Sequence, residues 1–385
     1  MTPIFWLSAA LAAAHPAPAD FAEDVKLLFQ VVSCQGGSLP ESLDPRVIEG
    51  YCAQQKPRLE RFKGHWGSKG RAFLAELRPK DAPTELVYPF GGGDLMMALT
   101  TFPEATVINT VSLELAGDPR RLRRVSDKNA LKNSLSAIAD ASNSTLTSND
   151  SKSVNLSKIQ RGELPGQLSM HLIGLALFGY TPVAARYFRV EPSGALHYYT
   201  AAEIEALEGS PAERLRHGWT SPDFSQAFAN VEVEFVSAEA PQGPRRIHRH
   251  FAADLSDAGL ERLPGLMVHL GTKGKVSAMT KAASYLLWRN EFSKIRDYLV
   301  AHASVMISDS TGVPPRYWKA AGCAVSTYGT FQTSFLGTGA TLQTELREEF
   351  KTQPRRALPM RFGYPDGSPE RTSHLLLVTC PGAPQ

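Results

Sequence analysis

The chain lacks most of the signatures by which a sequence declares its chemistry. Its 385 residues contain no G-x-S-x-G nucleophile elbow and no S-x-x-K set at a helix start with its companion motifs, which excludes the common serine-hydrolase layouts. Ser277-Ala278-Met279-Thr280-Lys281 misses that second spacing by one residue. There is no Walker loop, H-E-x-x-H pair or EF-hand loop. Charge of one sign is scarce as well: 41 basic against 38 acidic residues leave a net charge of +3, far from the basic excess that bulk nucleic-acid binding requires. After the first apolar stretch no run approaches the roughly 20 residues needed to cross a hydrocarbon core, so no membrane span is expected. No repeat of solenoid period is visible either.

What is there begins at the N-terminus. The apolar run Ile4 to Ala14 is followed by His15, Pro16 and the small-residue triplet Ala17-Pro18-Ala19. That is a signal-peptide layout over residues 1–19, and it implies export to the periplasm or beyond. No cysteine follows the run where a lipid would be attached. In an oxidising compartment the even set Cys34, Cys52, Cys323 and Cys380 reads as disulfides. Three connectivities are open, of which the simplest joins neighbours, Cys34 with Cys52 and Cys323 with Cys380. A metal site is disfavoured because the cysteines form no CxxC and no Cys/His cluster.

Residues 20–385 read as a single α/β domain with irregular insertions. The expected core is a Rossmann-like, mostly parallel central sheet with helices on both faces. Phe21, Val25, Leu28, Phe29 and Val32 mark one helical stripe. Glu85 to Phe90, Leu95 to Phe102 and Thr106 to Glu114 read as a βαβ unit, which implies a parallel pair. Residues 140–158, nearly all Ser, Asn, Thr, Asp and Lys, are expected to form a polar mobile loop. Further on, Tyr187 to Thr200 reads as a hairpin, Thr200 with Glu203 as a capping box, and Val231 to Val236, Arg246 to Phe251 and Leu266 to Leu270 as strands. The spacing of Tyr285, Trp288, Phe292, Ile295 and Leu299 predicts one long helix over residues 277–302. Late strands are expected at 305–307, 325–331 and 375–380.

The most suggestive motif is Tyr88-Pro89-Phe90-Gly91-Gly92-Gly93-Asp94, a glycine run between a strand and a helix. Gly91, Gly92 and Gly93 could bring backbone N–H groups close to a ligand at a helix N-terminus. Glu114 closes the next strand about 20 residues later, where a dinucleotide fold holds a ribose-binding acid. Against a nucleotide stand the absence of GxGxxG spacing, Pro89 within the strand, and the scarcity of NAD or S-adenosylmethionine outside the cytoplasm. A tight structural turn explains the run as well. Ser308-Asp309-Ser310-Thr311-Gly312 follows a strand in the same way. Asp94, Glu114 and Asp309 could therefore converge in one crevice as acid and base or as ligands for a hard cation, with Ser310 and Thr311 contributing ligand contacts. The competing reading has Asp309 capping its own turn.

His248 and His250 share one strand face, a spacing that suits zinc if a third ligand exists. The cluster Arg120, Arg121, Arg123 and Arg124 would suit an anionic partner or a solvated face.

The segments Val87 to Asp94, Phe102-Pro103-Glu104-Ala105, Ser112-Leu113-Glu114, Ser284-Tyr285-Leu286 with Phe292-Ser293, and Ser308 to Gly312 resemble a family of exported bacterial proteins that has no assigned activity. The resemblance spans most of the mature chain, with residues 140–158 departing from it, and carries no cofactor or catalytic residue. Three functions remain open: a small-molecule-binding or hydrolytic site near the glycine run, taking a polar or anionic molecule; a non-catalytic envelope-associated binding protein; and a degenerate methyltransferase-like or dinucleotide-binding fold.

Overall fold

The computed structural model describes residues 16–143, 145–146, 163–208, 225–331, 340–363 and 373–381. Among the described residues ten strands form one sheet: β1 (Glu85–Pro89), β2 (Val107–Ser112), β3 (Tyr180–Val190), β4 (Leu196–Tyr198), β5 (Asn230–Ser237), β6 (Arg246–Ala252), β7 (Val276–Thr280), β8 (Ala303–Ser308), β9 (Ala324–Gly329) and β10 (His374–Thr379). Their spatial order is β4-β3-β5-β6-β2-β1-β7-β8-β10-β9.

This corrects the expectation of a mostly parallel, Rossmann-like sheet. Five pairings are antiparallel, β3 with β4, β3 with β5, β5 with β6, β8 with β10 and β10 with β9. Only four are parallel, β1 with β2, β1 with β7, β2 with β6 and β7 with β8. On one flank the cause is local. A short connection such as Glu191–Ala195 or Ala238–Arg245 cannot return the chain to the start of its strand, so β4 and β6 run back against their predecessors.

Strand residues alternate between two apolar layers. Leu86, Tyr88, Met279, Val305 and Ile307 face one cluster, whereas Val87, Ala278 and Met306 face the other. Buried on both faces, the middle of the sheet reads as near-continuous apolar sequence rather than as an in-out pattern. The helix Leu95–Thr101 joins β1 to β2 and is buried at every residue.

Several local expectations change. The predicted long helix over 277–302 is instead β7, a loop with two 3₁₀ turns, and the helix Ser293–His302. The stripe survives as burial, since Tyr285, Ile295 and Leu299 are core, but its period arose from three separate elements. Leu266 to Leu270 lies in the helix Pro264–Gly271, where a proline in the first turn favours helix. The stretch that follows the first helix contains the helix Pro45–Phe62, capped by Asp44. The start of the polar segment, residues 140–143, ends the helix Lys128–Asn143; residues 147–158 lie outside the described residues, as do 1–15 of the signal segment. The Thr200–Glu203 capping box forms as expected, with bonds in both directions.

The four cysteines form two disulfides with the neighbour connectivity, Cys34–Cys52 and Cys323–Cys380. The first ties the end of helix Ala22–Val32 to helix Pro45–Phe62, and the second ties the approach to β9 to the end of β10. Among the described residues no helix is long and apolar enough to cross a membrane.

Candidate functional site

The chain leaves β1 for β2 on one side and reaches β7 on the other only much later. Loops at the carboxyl ends of those strands diverge, and in open sheets that divergence opens a ligand crevice. A crevice of about 540 Å³ lies there. Its walls follow β1 (Phe90, Gly91, Gly92), β2 (Leu113, Glu114), β6 (Ala253, Asp254, Leu255) and β7 (Lys281 to Ser284), and Arg289, Glu291 and Phe292 complete it.

The glycine run is shaped by close packing. A Cβ on Gly91 would sit 2.9 Å from the Tyr88 ring and carbonyl, and one on Gly93 2.7 Å from Met170, so neither position tolerates a side chain without displacement. Gly92 takes φ +50 and Phe90 φ +60. The Gly91 N–H donates to Val111 O at 3.1 Å, and the Asp94 N–H to Gly91 O at 2.9 Å. Those two donors are thus committed, one to β2 and one within the turn.

Of the three acids expected to converge, only Glu114 lines the crevice. It is buried, and burial raises its carboxyl above the ordinary range against a lowering hydrogen bond from Ser112. Asp94 lies behind Tyr88 and Lys281, which do line the wall. The Tyr88 hydroxyl donates to Asp94 Oδ2 at 3.0 Å, and Lys281 Nζ lies 3.4 Å from the same oxygen. Burial raises the Asp94 carboxyl, with Lys281 and Tyr88 pulling it back, and Oδ1 has no hydrogen-bond partner among the described residues. This is a buried ion pair at the floor of the crevice, its side chains 1% and 2% exposed.

Asp309 is occupied structurally. Its Oδ1 accepts from the Thr311 N–H at 2.8 Å and from the Thr311 hydroxyl, and its Oδ2 accepts from the Ala282 N–H at 2.9 Å. Thr311 Oγ1 in turn accepts from the Ala283 N–H at 2.8 Å, Ser310 Oγ meets the Tyr285 hydroxyl at 3.0 Å, and Ser310 O accepts from Trp288 Nε1. Ser310 and Thr311 therefore hold the neighbouring loop and do not line the crevice. That loop needs holding. Ala282, Ser284 and Tyr285 all have positive φ, between 52° and 58°, a conformation costing non-glycine residues of order 1 kcal/mol each.

Beneath the glycine run sit three buried histidines. His248 and His250 do share a face of β6, and His171, from the helix Gly166–Leu177, meets them with ring centroids 4.4 and 5.1 Å away. His171 Nε2 bonds Gly92 O at 3.1 Å and His250 Nε2 bonds Glu114 O at 2.7 Å. Since carbonyls only accept, both nitrogens carry hydrogen. His250 Nδ1 then accepts from Thr110, and the Thr110 oxygen accepts from His248 Nε2 at 2.9 Å, which makes one directed chain from His248 to the Glu114 carbonyl. The remaining nitrogens, Nδ1 of His171 and of His248, have no hydrogen-bond partner among the described residues. Burial lowers the proton affinity of all three, to about 4 for His250. Among the described residues no group of three or more His, Cys, Asp or Glu is placed to hold a metal ion.

The four arginines are paired with acids: Arg120 and Arg124 with Asp118 and Glu208, Arg121 with Glu163 and Arg123 with Asp24.

Sequence reading missed Lys281, Asp254, Phe292 and His171. Lys281 directly follows an apolar strand, a signal hidden when the segment is read as helix. His171 sits in an apolar run whose one polar ring was the clue.

Comparison with protein-family models, curated proteins and solved structures finds no match. What the crevice does rests on its own geometry.

Proposed function

We propose that this is an exported binding protein whose crevice takes a small hydroxyl-bearing molecule, with Glu114 as the acceptor of its hydroxyl groups. The observation that carries this reading is that Glu114 alone of the three candidate acids lines the crevice, buried and, among the described residues, with no cation paired to it. A buried carboxylate needs hydrogen-bond donors to offset its desolvation, and a ligand's hydroxyls supply them. The two disulfides support maturation in an oxidising compartment.

A hydrolytic pairing of Glu114 with Asp94 or Asp309 gains no such support. Asp309 is committed to Ala282 and Thr311, and Asp94 to Lys281 and Tyr88. General acid–base work needs both groups within reach of the reacting bond.

The test is a thermal-shift comparison of the mature protein with D-ribose, myo-inositol, D-glucose and adenosine. At least one should raise the melting temperature, and both Leu113→Trp, which narrows the crevice, and Glu114→Gln should abolish the shift. No shift with any of the four, or shifts that survive both substitutions, would refute the reading.

A further inference from the structure

We infer that the hydroxyl-bearing ligand is a nucleoside, uncharged or cationic, and that the crevice discriminates against nucleotides. This rests on the crevice-binding reading above and adds the ligand's ring and its charge.

Position comes first. Glu114 stands two residues beyond β2, one strand over from the glycine run, where an acid at a strand's carboxyl end accepts both hydroxyls of a vicinal diol. Its orientation is set on two sides. The Ser112 side chain bonds its carboxyl, and Gln167 Nε2 holds Ser112 Oγ at 3.2 Å. On the main-chain side, His250 fixes the Glu114 carbonyl. An acceptor anchored this way loses little freedom when a diol docks.

Next to the acid the wall turns apolar. Ser112 pairs with Ala252, so Ala253 to Leu255 run alongside Leu113 and Glu114, and Leu113, Ala253 and Leu255 form a non-polar stretch flanking the carboxylate. At the β1 and β7 side Phe90 and Phe292 stand edge to face with centroids 5.8 Å apart. A ligand with a diol at Glu114 therefore meets apolar surface, which suits a flat heterocycle. The crevice volume of about 540 Å³ is in the range that takes ligands of this size.

Charge then selects within the class. The lining carries Glu114, Asp254 and Glu291 against Lys281 and Arg289; Lys281 is balanced by Asp94 directly behind it and Asp254 by Arg262, which leaves Glu114 and Glu291 against Arg289. A phosphate would face two carboxylates without a paired cation among the described residues, Glu114 and Glu291, against Arg289 alone. Within the glycine run the Gly91 N–H is committed to Val111 O on β2 and the Asp94 N–H to Gly91 O, so neither of these two donors is open to a phosphate. Like charge at short range costs affinity, so a dinucleotide or a nucleoside phosphate is disfavoured, whereas a neutral nucleoside or one bearing a cationic substituent fits.

Isothermal titration calorimetry of the mature protein with adenosine, 2′-deoxyadenosine, S-adenosylmethionine, AMP and NAD tests this. Adenosine or S-adenosylmethionine should bind. AMP and NAD should bind at least about 10-fold more weakly, removal of the 2′-hydroxyl should cost a similar factor, and Glu114→Gln should erase the difference between adenosine and its 2′-deoxy form. AMP or NAD binding as tightly as adenosine would overturn the inference, as would indifference to the 2′-hydroxyl. If ribose, inositol or glucose gives a Glu114-dependent shift and no nucleoside binds, the nucleoside inference fails while the crevice reading stands. If none of these probes binds, both fail.

Discussion

Acidification should destabilise the protein through His250, and the size of the effect follows from its burial. In the unfolded chain a histidine takes its proton near pH 6.5, whereas the folded environment holds His250 down at about 4. Above pH 6.5 both states are neutral there and the full stability is present. As the pH falls from 6.5 toward 4, the unfolded state gains a proton that the folded state refuses, and stability drains away. At pH 4.5 the loss from this one ring is about 2.5 kcal/mol, rising to about 3.4 kcal/mol below pH 4.

His171 and His248 act in the same direction, because burial depresses both. Asp94 and Glu114 oppose them: their carboxyls are raised by burial, so falling pH relieves the cost of keeping them ionised. A wild-type curve alone would mix these contributions. The His250→Gln variant separates them, since a glutamine amide can still donate to the Glu114 carbonyl and accept from Thr110 without titrating. Urea unfolding at pH 7, 6, 5 and 4.5 should show wild type losing about 2.5 kcal/mol more than His250→Gln between the first and last values. Parallel curves for the two proteins would refute the argument. So would ring-nitrogen NMR shifts showing His250 protonated at pH 6.

Three further outcomes follow from other contacts. Asp309→Ala should cost about 2–4 kcal/mol in urea unfolding, because it strands the buried Thr311 N–H and the half-buried Ala282 N–H; a cost under about 1 kcal/mol would show that the loop does not depend on this clamp. Lys281→Met should destabilise by about 3–5 kcal/mol by leaving Asp94 a buried charge without its cation, and the double variant with Asp94→Asn should recover part of that loss; additive effects would mean the pair is not coupled. Replacing Cys323 and Cys380 by alanine should cost about 4 kcal/mol, and Cys34 with Cys52 about 3 kcal/mol, because the bridges close loops of 57 and 18 residues; thermal melts that reverse this order would contradict the chain-entropy account.

The parts of the fold that depend on contiguous sequence were readable. The βαβ unit from Glu85 to Ser112, the Tyr187–Thr200 hairpin and the capping box at Thr200 each carry their signal within a few residues. Sheet order did not, because nothing local in Val231–Val236 or Arg246–Phe251 states that β6 pairs with β2 and thereby attaches the antiparallel strands β3, β4 and β5 to the parallel strands. The failed helix at 277–302 has the same origin: three short elements happened to place aromatics at helical intervals. The site was legible in part. Position after a strand located Glu114, but whether an acid faces a crevice or caps a turn depends on partners such as Ala282 and Lys281 that lie far away in sequence.

The same far-apart residues explain why the crevice has a fixed shape. One wall bends through Ala282, Ser284 and Tyr285, each in a conformation it would not hold alone, and the Asp309 to Thr311 turn supplies the acceptors that keep it there. The opposite wall, at Gly92 and Glu114, is tied through main-chain carbonyls to His171 and His250. Strain that persists because its surroundings over-determine it belongs to sites where geometry matters more than stability. The SDSTG turn and the histidine pair, which the sequence offered as ligand-binding elements, are thus the supports of two walls, and the ligand-facing chemistry falls to Glu114 between them.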